Sequence, residues 1–282
     1  MADIILDTLL DSLKLIPFLY LTFFVMELLE HNFNEKSRVI IEKAGKLGPV
    51  WGSLLGAFPQ CGFSAGATNL YARRIITVGT LVAIYLSTSD EMLPILISRQ
   101  VSPVVIFKII GLKVAIGMVF GFIIDLFFKQ KNDGSENDIH DFCEKEHCHC
   151  EDKLWLSTLK HTLNIILFIS VITLALNSAI YFLGEESIKA LFLQSSIFGP
   201  FLASLVGLIP NCGASVVLTE LYLAGTISFG STMAGLLTGS GVALLVLFRV
   251  NQNKQENVKI LLGMYAIGAF CGCAIDLVAK LL

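Results

Sequence analysis

Residues 48–71 read GPVWGSLLGAFPQCGFSAGATNLY, and residues 199–222 read GPFLASLVGLIPNCGASVVLTELY. The two stretches align at an offset of 151 without a gap, and 12 of their 24 positions are identical. The shared positions include a Pro-polar-Cys-Gly-x-Ser run, at Pro59-Gln60-Cys61-Gly62-Phe63-Ser64 and at Pro210-Asn211-Cys212-Gly213-Ala214-Ser215. Chance resemblance between two apolar helices would not preserve that polar run. The same offset pairs Gly79 with Gly230, Ser89 with Ser240, Gly121 with Gly272 and Asp125 with Asp276. The chain therefore reads as a duplication. The two units occupy residues 1–128 and 155–282, and a polar linker, 129–154, joins them.

The surroundings of these stretches set the solvent. Of 282 residues, 55% are hydrophobic and only 15% charged, and the mean hydropathy is +0.75. Soluble domains carry roughly 25% charged residues. Apolar runs at about 8–29, 48–72, 75–97, 103–128, 155–182, 199–222, 226–248 and 258–280 are each long enough to cross a bilayer. This excludes a soluble enzyme, a nucleic-acid binder and a disordered scaffold. The opening MADIILDTLLDS is acidic where a secretory signal would be basic. Residues 8–29 are therefore expected to stay as a span, kinked at Pro17.

Positive charge orients the chain. Lys36, Arg38, Lys43 and Lys46 precede the 48–72 run, and Arg73-Arg74 follow it. A simple crossing would put these clusters on opposite sides. A re-entrant hairpin broken at Pro59-Gln60-Cys61-Gly62 keeps both in the cytoplasm. Applied to both units, this predicts three crossings and one hairpin per unit, about ten helical segments in all. The N-terminus is then outside, and the cytoplasmic loops 31–47, 73–74, 129–154 and 249–259 hold 13 Lys and Arg. The outer segments hold Arg99, Lys189 and Lys280. Three crossings is an odd number, so the second unit is inverted. Its equivalent loops agree, with Ala224-Gly225 in place of Arg73-Arg74. The expected fold is an all-α integral membrane protein of two inverted-topology repeats. Inverted repeats with broken helices belong to secondary transporters, because non-helical backbone survives at membrane depth only beside protein or a water-filled cavity.

Three constellations could carry chemistry. The first is the two hairpin tips. Proline breaks each helix, glycine permits the reversal, and the freed backbone faces a ligand together with Gln60, Cys61, Ser64, Asn211, Cys212 and Ser215. The bland alternative is a structural hairpin with inert buried cysteines. The second is a break in the following span, Ser87-Thr88-Ser89-Asp90-Glu91, whose counterpart is Thr238-Gly239-Ser240-Gly241. Polar clusters in mid-span usually line a pathway, so Ser87, Thr88, Ser89, Asp90, Thr238 and Ser240 join the expected site. Glu220, the counterpart of Asn69, either binds a cation or carries a proton there, or sits at headgroup level. The third is the linker, where His140, Cys143, His147, Cys148, His149 and Cys150 have metal-ligand density. Their thiolate and imidazole groups suit thiophilic ions, and their spacing is that of a flexible capture segment rather than a folded zinc module. Glu27, Glu30 and His31 read as an interfacial cap, Asp125 and Asp276 as structural caps, and Cys271 and Cys273 as packing.

The motif Gly-x-x-Pro-[Gln/Asn]-Cys-Gly-x-Ser in both halves resembles that of the ten-helix heavy-metal exporters, a family related to the ArsP-type arsenic permeases. The resemblance covers nearly the whole chain, including the His/Cys/acid-rich central loop. It implies a transporter whose substrate is less well determined than its fold, since members are labelled as arsenic efflux or manganese transport proteins. It also implies that Cys61 and Cys212 are functional. There is no phosphate-binding Gly-x-x-x-x-Gly-Lys-Ser/Thr pattern, so transport would use an ion gradient or a partner.

The leading expectation is a secondary active exporter of a thiophilic metal or metalloid, in the inner plasma membrane, with the linker cytoplasmic. No cofactor is required; a metal ion enters as substrate or binds the linker. The partners are the lipid bilayer and a metal, metalloid or small solute, with no nucleic acid, and a homodimer is compatible with the chain. One alternative is a transporter of a hard divalent cation such as manganese, using Asp90, Glu220, Gln60, Asn211 and backbone carbonyls. Another is a transporter of a small organic anion. From a different class comes a metal-sensing membrane protein, for which 129–154 is too short an output domain. No His lies within a membrane core, so an enzyme is not expected.

Overall fold

A computed structural model describes residues 47–58, 61–89, 92–127 and 198–281, with isolated helical positions between 16 and 24 and between 159 and 174. Ten helical elements follow one another: α1 (Gly48–Gly56), α2 (Cys61–Ala72), α3 (Val78–Ser87), α4 (Met92–Ser98), α5 (Pro103–Phe127), α6 (Gly199–Gly207), α7 (Cys212–Leu223), α8 (Phe229–Thr238), α9 (Ala243–Val250) and α10 (Lys254–Leu281). The described residues contain no strand, and the protein is an all-α integral membrane protein. Each of α1 to α5 begins 151 residues before its counterpart among α6 to α10, so the offset found in the sequence is also the offset of the elements.

Among the described residues, four stretches are long and apolar enough to cross a bilayer: Val78–Ser98, Pro103–Phe127, Phe229–Val250 and Lys254–Leu281. They divide into two kinds. The first and third are 75% and 78% buried; the second and fourth are only 22% and 39% buried. The inner pair, α3–α4 and α8–α9, is broken in the middle, as the mid-span polar clusters predict. The outer pair, α5 and α10, is continuous and presents Val104, Phe107, Leu126, Leu262, Phe270 and Leu277 outward, a face that suits lipid.

Backbone-to-backbone contact holds each inner helix to its outer partner. A Cβ added at Gly117 would stand 2.9 Å from the Ala83 carbonyl oxygen, and one at Gly268 would stand 2.8 Å from that of Ala234. Gly121 and Gly272 abut Gly79 and Gly230 in the same way. With no hydrophobic drive between helices in lipid, such close approach supplies the attraction. At the end of each pair an acid closes the contact. Asp125 accepts from the Gly79 N–H at 2.8 Å and the Thr77 hydroxyl at 2.7 Å, and Asp276 accepts from Gly230 N–H at 2.8 Å and the Ser228 hydroxyl at 2.6 Å. Thr77 and Ser228 are themselves the N-caps of α3 and α8. The two carboxylates thus satisfy orphan N–H groups and sit at the positive end of a helix dipole.

The short elements follow the inner helices. Gly48 abuts Thr80 near the start of α3, and Gly56 abuts Ser87 at its end, so α1 runs beside α3 in the same direction. Gly199 and Gly207 meet Ser231 and Thr238 in the same register. Across the halves, α2 packs on α9 and α7 packs on α4. Two ion pairs also cross. Arg74 holds Glu256 at 2.8 Å, with Tyr71 donating to the same carboxylate, and Arg99 holds Glu220 at 3.0 Å. Arg74 has φ 58°, and its counterpart Gly225 has φ 69°. Only glycine adopts this left-handed turn without cost, and at position 74 the guanidinium's hold on Glu256 offsets that cost.

Gly79→Ala and Gly230→Ala are expected to lower the yield of monodisperse protein in detergent, since the new methyl would drive into the Gly121 or Gly272 carbonyl. Overpacking of this kind costs about 1–3 kcal/mol. Gly263→Ala, where nothing lies within 4 Å of the added atom, should leave thermal stability unchanged.

Candidate functional site

The two helix breaks lie at the centre of the molecule, and most of the described site residues gather there. Ser87, Thr88 and Ser89 are buried at the end of α3, and Thr238 and Ser240 at the end of α8. The polar residues do first what broken helices require. Thr88 Oγ1 donates to Ile84 O at 2.7 Å, Ser87 Oγ to Ala83 O at 2.9 Å, and Ser89 Oγ to Ser87 O at 3.2 Å. In the other half Thr238 Oγ1 donates to Ser204 O at 2.9 Å, which ties α8 to α6. A hydroxyl has one hydrogen and two lone pairs. With the hydrogens committed to carbonyls, these oxygens can act toward a ligand only as acceptors, which suits a cation or a hydrogen-bond donor.

Each break adjoins the end of the first short helix of its own half, because Gly56 of α1 and Gly207 of α6 abut Ser87 and Thr238. Beyond the tips, Cys61 and Cys212 are the first residues of α2 and α7. The positive end of a helix dipole stabilises negative charge at such a position. The side chains of Cys61 and Cys212 lie outside the described part, as do Gln60 and Asp90. Asn211 is buried and caps α7, its Oδ1 accepting from Gly213 N–H at 3.0 Å. Ser64 and Ser215 lie one turn into α2 and α7, where their carbonyls accept from Thr68 at 2.8 Å and Thr219 at 2.7 Å. Glu220 stands apart from this group, at the far end of α7, in its ion pair with Arg99. The linker ligands His140, Cys143, His147, Cys148, His149 and Cys150 lie outside the described residues. The described residues contain no cluster of three or more His, Cys, Asp or Glu able to hold a metal.

Two central residues escaped the sequence reading. Lys113 lies on α5, ten residues from Pro103 and fourteen from Phe127, and is 1% exposed. Its ammonium donates to the Thr88 carbonyl, and to the Leu236 carbonyl at 2.7 Å. One lysine thus joins the end of α3 to the end of α8. Its depth in an apolar span was the available signal, because an ionisable side chain at mid-membrane is functional by default. Tyr85 is the second. Its hydroxyl lies 2.6 Å from Thr68 Oγ1 and 3.3 Å from the Ala243 carbonyl, linking α2, α3 and α9. Its sequence neighbours are all apolar, so only the fold distinguishes it from a packing residue.

Two buried hydroxyls among the described residues, Ser204 and Ser240, have no hydrogen-bond partner. Ser240 lies in the break itself. An unpaired buried hydroxyl costs about 1–3 kcal/mol.

With this geometry in hand, the comparison with known families is decisive. The family model described as "Putative, 10TM heavy-metal exporter" matches residues 1–181 and 154–281. The chain belongs to this family. No curated protein and no solved structure matches it. The family is one of multi-span membrane exporters, and the four apolar spans and lipid-suited outer helices of this chain accord with that.

Ser240→Ala removes a hydroxyl without a partner, so the variant should melt at or slightly above the parent temperature. If Ser240 contacts the substrate, uptake into inverted vesicles should fall on the order of tenfold, the loss of one hydrogen bond to a charged group.

Proposed function

We propose that this heavy-metal exporter family member is a secondary active transporter of two inverted repeats, moving a thiophilic metal or metalloid out of the cytoplasm past the paired breaks. The observation that carries the substrate class is the identical register of Cys61 and Cys212, each the first residue of the helix that follows α1 or α6. Soft thiolate ligands select soft ions, and a membrane protein has no packing need to repeat a cysteine at that one register.

The re-entrant hairpins are supported by register. α1 starts level with the start of α3 and runs inward to its end; α2 then returns to Ala72, shortly before α3 begins at Val78. At 9 and 12 residues, α1 and α2 reach roughly 13 and 18 Å, short of the ~30 Å hydrocarbon core. The inversion is supported by the ion pairs. Arg74 precedes α3, whereas Glu256 follows α9, yet they touch. The two inner spans therefore run in opposite directions. Arg99, after α4, touches Glu220, which precedes α8, and this agrees. With the basic loops inside, the tips meet near the midplane and the hairpins can open the site to one side at a time. The linker would concentrate metal at the inner mouth. Units 1–128 and 155–282 are then the two repeats.

A second reading has one observation in its favour: the hydroxyl and carbonyl oxygens at the breaks offer lone pairs, which suit a hard divalent cation such as manganese.

Elemental mass spectrometry of cells expressing the parent chain, against a Cys61→Ser/Cys212→Ser double variant, separates the two readings. The expected result is depletion of one thiophilic element by the parent and loss of that depletion in the variant. Depletion of manganese that survives the double substitution would transfer the function to the second reading. The inversion has its own test, with Arg73→Cys and Ala224→Cys probed by a membrane-impermeant maleimide. The Ala224 site should label in intact cells above the parent background, and the Arg73 site only after permeabilisation.

A further inference from the structure

The paired breaks set an electrostatic problem that Lys113 answers, and the answer defines a cation site. The last carbonyls of an α-helix have no intrahelical partner. At the end of α8 the Leu236 carbonyl would ordinarily accept from the N–H four residues on, but Ser240 N–H turns instead to Thr238 O at 3.0 Å. At the end of α3, Thr88 has left the helix with ψ 129°, and its carbonyl points away from the helical ladder. Both oxygens lie at the negative end of a helix dipole, where each helix terminus as a whole carries about half an elementary negative charge. The two helix ends approach closely enough for one ammonium to touch both carbonyls. In the same two breaks the hydroxyls of Ser87, Thr88 and Ser89 have spent their hydrogens on backbone, and Ser240 Oγ is buried without a partner.

We propose that the convergence of the α3 and α8 C-termini is a monovalent-cation site, and that the Lys113 ammonium is its resident, tethered cation. The same two carbonyl oxygens would help hold potassium, sodium or a small alkylammonium if the lysine side chain were shortened. The parent chain therefore carries its own cation at the meeting point of the two breaks, and needs no co-ion at that place. This holds whatever the transported substrate, because the readout below is stability and not flux.

The test compares purified parent, Lys113→Ala and Lys113→Met by thermal unfolding in detergent. Chloride salts of choline, sodium, potassium and methylammonium are titrated at constant ionic strength. In choline, both variants should melt on the order of 5 °C or more below the parent. Sodium, potassium or methylammonium should restore Lys113→Ala along a saturable curve, since a ligand that binds only the folded state stabilises in proportion to its occupancy. Lys113→Met should not recover, because its side chain fills the vacated space, as Met264 fills the counterpart position. The parent should ignore all four salts. A Lys113→Ala chain as stable as the parent in choline would overturn the proposal. So would a destabilised one indifferent to small cations, or equal rescue of the Met variant. Failure of Lys113→Ala to accumulate in cells counts against it as well, because cellular potassium would fill the vacated site.

Discussion

Two helices that stop halfway across a membrane leave carbonyls that neither lipid nor their own ladder can satisfy. In hydrocarbon each such group costs several kcal/mol, so the arrangement around α3 and α8 is governed by how those ends are met. The chain meets them in layers. Ser87, Thr88 and Thr238 turn their hydroxyls back onto the last carbonyls of their own or a neighbouring helix. Lys113 takes one carbonyl from each break. The opposite ends of the same two helices, at Gly79 and Gly230, are met by Asp125 and Asp276. Negative charge sits at helix starts and positive charge at helix ends, which is the sense the dipole favours.

This division explains why α5 is continuous while its partner is broken. An unbroken 25-residue helix can carry an acid at one end and a lysine at its middle in fixed register, so α5 spans both ends of α3. Gly117 and Gly121 let it lie against α3 closely enough for both contacts to form. The glycines, the capping acid and the buried lysine are therefore parts of one device that keeps a broken helix intact at membrane depth. The breaks can then hold polar groups at membrane depth without unravelling.

What the sequence disclosed follows from the duplication. Every feature found by comparing 48–71 with 199–222 is shared by both halves, and shared features hold each half together: the glycine contacts, the capping acids and the placement of the breaks. The packing of α2 on α9 and of α7 on α4 between the halves is shared as well, but the ion pairs and buried polar contacts that join the halves draw on residues without a like counterpart. Arg74 answers to Gly225, Tyr85 to Leu236, Arg99 to Val250, Glu220 to Asn69 and Glu256 to Val105. A reading built on repetition passes over such residues. Glu220 shows the limit: its departure from Asn69 was visible, but its partner Arg99 lies 121 positions away in the chain and only the fold brings them together.

Lys113 is the most telling of the unshared residues, because its uniqueness has a physical cause. Its counterpart is Met264, buried on α10. A lysine there would reach the equivalent carbonyls, those of Gly239 and Tyr85. Tyr85, in the last turn of α3, and Thr88, its C-cap, are three residues apart, so the two sites would lie within about one helical turn of each other. Two ammonium groups that close would repel by about 4 kcal/mol at an effective dielectric near 20. Two lysines at equivalent positions would therefore oppose one another, and only one copy of the position carries a charge. Methionine keeps the length and volume of lysine without the ammonium, so the second half stays packed while the first supplies the charge. The asymmetry between Lys113 and Met264 is thus what a shared centre demands of a duplicated chain.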